Sequence, residues 1–164
     1  MERLWTPWRL TYVTEASAAS GGCIFCDALA RIDNDSLIVH QGRRTYVILN
    51  KFPYNNGHLM VVPHRHAGRL DALDADELSE LIVLTRTAER ALEAVYHPHG
   101  FNMGLNLGKP AGAGVLDHLH LHVVPRWNGD TNFITVVGET RVLPEELGQT
   151  AARVRQAFAD LHGA

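Results

Sequence analysis

The sequence predicts an α+β domain built on an antiparallel sheet, and the order of its hydrophobic patterns carries that reading. Short β-rich runs come first, a long stretch with helical spacing follows, and two further β-like runs precede a last amphipathic stretch. Strands clustered in this way, rather than each followed by a helix, favour antiparallel pairing. At 164 residues, 46% apolar and 20% charged, the chain suffices for one ordinary core, so residues 1–164 are read as a single domain.

Residues 1–22 read as an N-terminal arm, because the aromatic start (Trp5, Trp8, Tyr12) gives way to small and polar residues at 16–22. Runs at 37–40, 45–50 and 58–62 read as strands, the last two joined as a hairpin through Pro53, Tyr54, Asn55, Asn56 and Gly57. From Asp74 the apolar residues Leu78, Leu81, Ile82, Ala88, Leu92 and Val95, with Thr85, recur at helical spacing. Asp74 and Glu77 resemble a capping box at its start, and Pro98 and Gly100 stop it. Phe101, Met103, Leu105 and Leu107 alternate in a strand over 101–107, and 118–124 forms another. In the extension 127–164, Leu147, Ala151, Val154, Phe158 and Leu161 mark a C-terminal amphipathic helix after Pro144.

Fifteen basic residues against 18 acidic give a formal charge of −3, so no bulk attraction draws in nucleic acid or an anionic membrane. Any phosphate needs a local site. A secretory signal and a run of about 18 apolar residues are both missing, which leads us to expect a cytoplasmic protein with no membrane partner. In a reducing compartment Cys23 and Cys26, one C-x-x-C, read as a metal half-site or a redox pair.

Among ten histidines, His118, His120 and His122 alternate with Leu119, Leu121 and Val123, so a strand puts the imidazoles on one face. At about 3.3 Å per residue the outer two lie roughly 13 Å apart, too far to converge easily on one metal ion. Three readings follow: a polar exposed face, a catalytic zinc held by two of them with a distant ligand, or nucleophilic catalysis by a neutral imidazole. The third is favoured, because the loop from Gly108 to Gly114 lets backbone N–H groups approach an anion, with Lys109 and Arg126 as charges.

The pattern His-φ-His-φ-His-φ-φ over 118–124, φ being apolar, resembles the signature of the histidine triad (HIT) superfamily. The resemblance extends upstream through Gly57-His58-Leu59-Met60-Val61-Val62-Pro63 to Asn50. Trp5-Thr6-Pro7-Trp8-Arg9 and the stretch from Pro125 through Trp127 to Phe133 look like the bacterial diadenosine tetraphosphate phosphorylase branch.

This resemblance implies a HIT fold and a homodimer acting at the α-phosphate of adenine dinucleoside polyphosphates. His120 would be the nucleophile that becomes a nucleotidyl-histidine, oriented through Nδ1, and His122 would contact the phosphate oxygens. Asn50 is implied at the ribose and Asn106 near the phosphates, with Gly112, Gly114 and Trp127 lining the substrate side; His58 is open between a structural and a functional role. Cys23, Cys26, His66 and His118 match the ligands of a structural zinc, with His64 a nearby competitor for His66. Magnesium is expected only as a companion of the nucleotide's phosphates.

One departure concerns Gly114, which stands where many relatives carry a glutamine four residues before the first triad histidine. It argues against a direct transfer of dinucleoside triphosphate hydrolase activity. The resemblance to the phosphorylase branch implies phosphorolysis of diadenosine tetraphosphate to ADP and ATP, with inorganic phosphate as acceptor, as the favoured reaction. Hydrolysis, phosphoramidate cleavage and a zinc-stabilised binding module without turnover are the alternatives.

Overall fold

The computed structural model describes residues 22–31, 36–131 and 145–163. Most of the expected N-terminal arm and the middle of the C-terminal extension lie outside the described residues. Five strands form one antiparallel sheet in the order β1-β2-β3-β5-β4: β1 (Ile38–Gln41), β2 (Thr45–Leu49), β3 (Leu59–Pro63), β4 (Gly100–Leu105) and β5 (Leu121–Arg126). Among the described residues three α-helices accompany it, α1 (Ile24–Ala30), α2 (Ala75–Tyr96) and α3 (Leu147–Gly163). The α+β expectation holds, and none of the described helices is long and apolar enough to cross a membrane.

Both faces of the sheet are covered, which explains why every residue of β2 and β3 is buried. Val47, Leu49, Leu59, Val61, Leu121 and Val123 point to one side, where Leu81, Leu84, Ala88 and Leu92 of α2 and Val154 and Phe158 of α3 complete the main core. Truncating a residue such as Leu92 to Ala there costs about 2–5 kcal/mol. Tyr46, Ile48, Met60 and Val62 point to the other side and pack with Phe25 of α1. The period of two thus assigns alternate residues of one strand to different tasks.

The Asp74 side chain accepts from the Glu77 N–H at 2.8 Å while Glu77 accepts from the Asp74 N–H at 2.8 Å, so the expected capping box is present. His97 ends α2 in a left-handed conformation, φ 47°, just before Pro98. The strand expected over 118–124 is shifted: the ladder starts at Leu121 and runs to Arg126. Leu119 N–H donates instead to the Ala67 carbonyl at 2.7 Å, so residues 118–120 bond to the segment after β3 rather than to a strand. The strand expected over 101–107 begins at Gly100 and ends at Leu105. Helix α1 was not foreseen, since seven residues are too few for a periodicity to show.

Glu77 also pairs with Arg65, accepting from its Nε at 2.9 Å, and this joins the first turn of α2 to the segment that follows β3. The guanidinium beside it holds the Glu77 carboxyl at about 2, below its ordinary 4.5. A carboxylate depressed on folding contributes stability above its unfolded value and loses it as pH falls through the folded one. Glu77→Gln is therefore expected to lower Tm at pH 7, with the gap from wild type closing as pH falls from about 4.5 towards 2. A gap independent of pH, measured by thermal unfolding across that range, contradicts the assignment.

Candidate active site and metal centre

The face of the sheet that carries Phe25 carries the histidines too. Cys23 is the N-cap of α1 and Cys26 lies in its first turn, so one short helix presents both thiols to the same side. The ligand atoms of Cys23, Cys26, His66 and His118 all lie within 4.8 Å of one another. Cys23 Sγ is 3.2 Å and Cys26 Sγ 3.6 Å from His118 Nδ1, and Cys26 Sγ is 3.5 Å from His66 Nδ1. Bonds of about 2.3 Å to sulfur and 2.0 Å to nitrogen give tetrahedral edges of about 3.3–3.8 Å, close to these three contacts.

The orientation of His118 fits as well. Its Nε2 donates to the Pro63 carbonyl at 2.9 Å, which leaves the Nδ1 lone pair facing the two thiols. Burial lowers the basicity of His118 and keeps the imidazole neutral, as a ligand must be. Burial raises the Cys26 thiol, and the neighbouring Cys23 adds to the shift, so a cation would supply the charge that favours both thiolates. Tyr46 fastens α1 to β2 by donating its hydroxyl to the Phe25 carbonyl at 2.8 Å. Among the described residues this is the sole group of three or more potential ligands.

Two residues on, His120 Nδ1 donates to the His118 carbonyl at 2.9 Å. With Nδ1 protonated, the neutral ring carries its lone pair at Nε2. Burial lowers the basicity of His120, and the backbone bond opposes that shift only in part, so the ring is held in the form that can attack an electrophile. Phe25 packs against both rings, 5.4 Å from His118 and 5.0 Å from His120 between centroids. The ring of His122 lies 4.9 Å from that of His120 at 77°. A fourth histidine joins them: His58 Nε2 is 2.9 Å from His122 Nδ1.

The other candidates divide by position. Asn50 meets the cluster through its amide nitrogen, 3.4 Å from His58 Nδ1, while its oxygen accepts from the Phe52 N–H at 2.9 Å. Asn106 follows β4 directly, one residue past Leu105, which pairs with Leu121 at the end of the ladder. Gly112 has φ 86° and closes a single turn over Lys109–Ala111. The N–H groups of Ala111 and Gly112 donate to the carbonyls of Gly108 and Lys109, at 3.1 and 3.0 Å, so these two face the loop itself rather than an anion. Gly114 is half-buried in the segment that leads to His118. Trp127 is held by its N–H, which donates to Asp130 at 3.2 Å, and Asp130 in turn binds Arg126 and Asn55.

Arg126, read from the sequence as an available charge, is engaged by Asp130 and Asn102. His64 is not in the metal group, and its buried Nε2 has no hydrogen-bond partner among the described residues. Two residues of the site were missed as such in the sequence, Phe25 and Tyr54, the latter read only as part of a turn. Tyr54 donates its N–H to His58 Nδ1 at 3.1 Å and lays its ring 4.6 Å from that of His58. An aromatic residue beside a cysteine pair and another beside a turn were the signals available.

With this geometry in place, comparison with known proteins adds the relationship. A family model for the HIT domain matches residues 31–129. The chain belongs to the HIT domain family. An AP-4-A phosphorylase of Mycobacterium tuberculosis is 46% identical over 157 residues, covering 92% of this chain and 80% of that protein. A bis(5'-nucleosyl)-tetraphosphatase (asymmetrical) of Schizosaccharomyces pombe is 30% identical over 95 residues, 58% of this chain and 52% of the other. Among solved structures, a Zn-bound histidine triad family protein from Mycobacterium smegmatis superposes with TM-score 0.70 at 25% identity, covering 87% of this chain and 96% of that one.

In this HIT domain the loop bearing His118 runs against the segment after β3 with little room. A Cβ on Gly68 would lie 2.9 Å from the Leu116 carbonyl oxygen and 3.0 Å from Asp117 Cα, both backbone atoms. Gly68→Val is therefore expected to displace the His118 loop at a cost of about 1–3 kcal/mol. Thermal unfolding measures this, with a lowered Tm expected, and wild-type stability contradicts the close approach.

Proposed function

We propose that this HIT domain transfers the nucleotidyl group of adenine dinucleoside polyphosphates through His120. The observation that carries the reading is the bond from His120 Nδ1 to the His118 carbonyl, which aims an unprotonated Nε2 away from the backbone and next to His122. In the first step Nε2 attacks the α-phosphorus, a P–N bond forms, the bond to the bridging oxygen breaks, and diadenosine tetraphosphate releases ATP. An oxygen of inorganic phosphate then attacks the same phosphorus, the P–N bond breaks, and ADP leaves. His122 stabilises the equatorial oxygens while phosphorus is five-coordinate. Asn50 and Asn106 contact ribose and phosphate, and Gly112, Gly114 and Trp127 border the acceptor side. Phosphate rather than water as acceptor is supported by the likeness to the mycobacterial phosphorylase.

Zinc at Cys23, Cys26, His66 and His118 has a structural role in this reading. Two thiolates and two imidazoles leave no open position for substrate, so the ion would cross-link α1 to the segments on which His66 and His120 stand. Magnesium would arrive with the polyphosphate. A cytoplasmic location suits a thiol pair that must stay reduced.

The working form proposed is a homodimer joined edge to edge at β4. This strand closes one side of the sheet, Met103 on it is exposed, and Ile82 of α2 beside it is 61% exposed.

Incubation with diadenosine tetraphosphate, with and without excess phosphate, tests the reaction by chromatography of the products. Phosphate-dependent ADP and ATP are expected, whereas phosphate-independent AMP and ATP identify a hydrolase. His120→Asn is expected to lose at least about a thousandfold in kcat while still binding nucleotide. Chelation is expected to lower Tm before it lowers activity at 25 °C; instant loss of activity with unchanged stability refutes the structural role.

A further inference from the structure

We propose that Tyr54 is a positioning residue for this reaction, fixing through His58 which nitrogen of His122 carries the hydrogen. The inference rests on the reading of His122 as the partner of the phosphate oxygens. It follows from the direction of successive hydrogen bonds.

The chain starts at a donor whose direction is certain, since a backbone N–H can only donate. Tyr54 N–H points at His58 Nδ1 at 3.1 Å, so that nitrogen is an acceptor and bears no hydrogen. The amide of Asn50 agrees, because its oxygen already accepts from Phe52 N–H and its NH2 group therefore faces the same Nδ1. With Nδ1 bare, the His58 ring is neutral and carries its one hydrogen at Nε2. That hydrogen is donated to His122 Nδ1 at 2.9 Å. His122 Nδ1 is then an acceptor in its turn, and the neutral His122 ring carries its hydrogen at Nε2. A hydrogen-bond donor is what an oxyanion partner must present.

The side chain of Tyr54 holds this order in place. Its ring lies 4.6 Å from His58 at 37° and 5.9 Å from His122 at 27°, one aromatic face spanning both imidazoles. A flip of either ring about its second side-chain torsion would put carbon where nitrogen now meets nitrogen and would have to displace Tyr54. His120 and His122 thereby receive opposite tautomers from opposite sources: the His118 carbonyl for one, the Tyr54 N–H for the other.

Long-range proton–nitrogen correlation spectra of the nitrogen-15-labelled full chain at pH 8 read the tautomers directly, His122 being assigned by the loss of its peaks in His122→Gln. Wild type is expected to show His122 protonated at Nε2 and bare at Nδ1. In Tyr54→Leu that signature is expected to average between tautomers, with kcat for diadenosine tetraphosphate down about 10- to 100-fold and KM nearly unchanged. Tyr54→Phe, which keeps the aromatic face, is expected to restore both. A hydrogen on Nδ1 of wild-type His122, a Leu variant with wild-type spectrum and kcat, or a Phe variant as impaired as Leu overturns the proposal. The spectra need no substrate, so failure of the wild-type chain to turn over diadenosine tetraphosphate would sink the functional reading and leave this one measurable.

Discussion

The bond from His118 Nε2 to the Pro63 carbonyl settles the arrangement of the whole site face. Because it is made, the other ring nitrogen must accept, and it faces two thiols. Because the ring is pinned to the end of β3, its own carbonyl is held where His120 Nδ1 can reach it, and the next N–H, that of Leu119, meets Ala67. One residue thus serves the proposed metal group, the tautomer of the proposed nucleophile and the junction of two segments. The ladder can begin at Leu121 only after those bonds are satisfied elsewhere.

The division of labour between the two faces of the sheet follows from the pleat. Leu119, Leu121 and Val123 enter the core beneath α2 and α3, which fixes the strand's register and leaves the intervening histidines on the far side. A slip of one residue would turn the imidazoles toward Leu81, Ala88 and Phe158 and put the aliphatic side chains on the histidine face. The main core therefore determines which way the histidines point.

Much of this was legible in the sequence because it is periodic or local. Alternation at 118–124 placed the imidazoles together, helical spacing with Asp74 and Glu77 gave α2 and its cap, and Pro53 to Gly57 gave the hairpin. What stayed hidden depends on contacts between distant segments or on hydrogen-bond direction. Phe25 reaches His120 across 95 positions, and nothing in Cys-Ile-Phe-Cys announces that. The glycines before the triad suggested N–H groups open to an anion, yet those of Ala111, Gly112 and Ala113 donate to the carbonyls of Gly108 and Lys109, since a tight turn satisfies its donors internally. Strand ends moved by one to three residues where side chains or the flanking loop took the bonds that a ladder would have used.

Identical side chains acquire different chemistry here because each meets a different fixed dipole. His118 gives its hydrogen to Pro63 and keeps a lone pair at Nδ1, while His120 gives its hydrogen to the His118 carbonyl and keeps a lone pair at Nε2. His122 faces the Nε2 of a buried imidazole, whose other nitrogen accepts from a backbone N–H. The proposed ligand, nucleophile and anion partner use two tautomers of one ring, His118 and His122 sharing one and His120 taking the other, and no sequence of alternating histidines specifies them. The settings come from carbonyls and N–H groups whose directions are fixed by the fold. For that reason the rigidity of the backbone around Pro63, Ala67 and Tyr54 matters as much to the site as the histidines themselves.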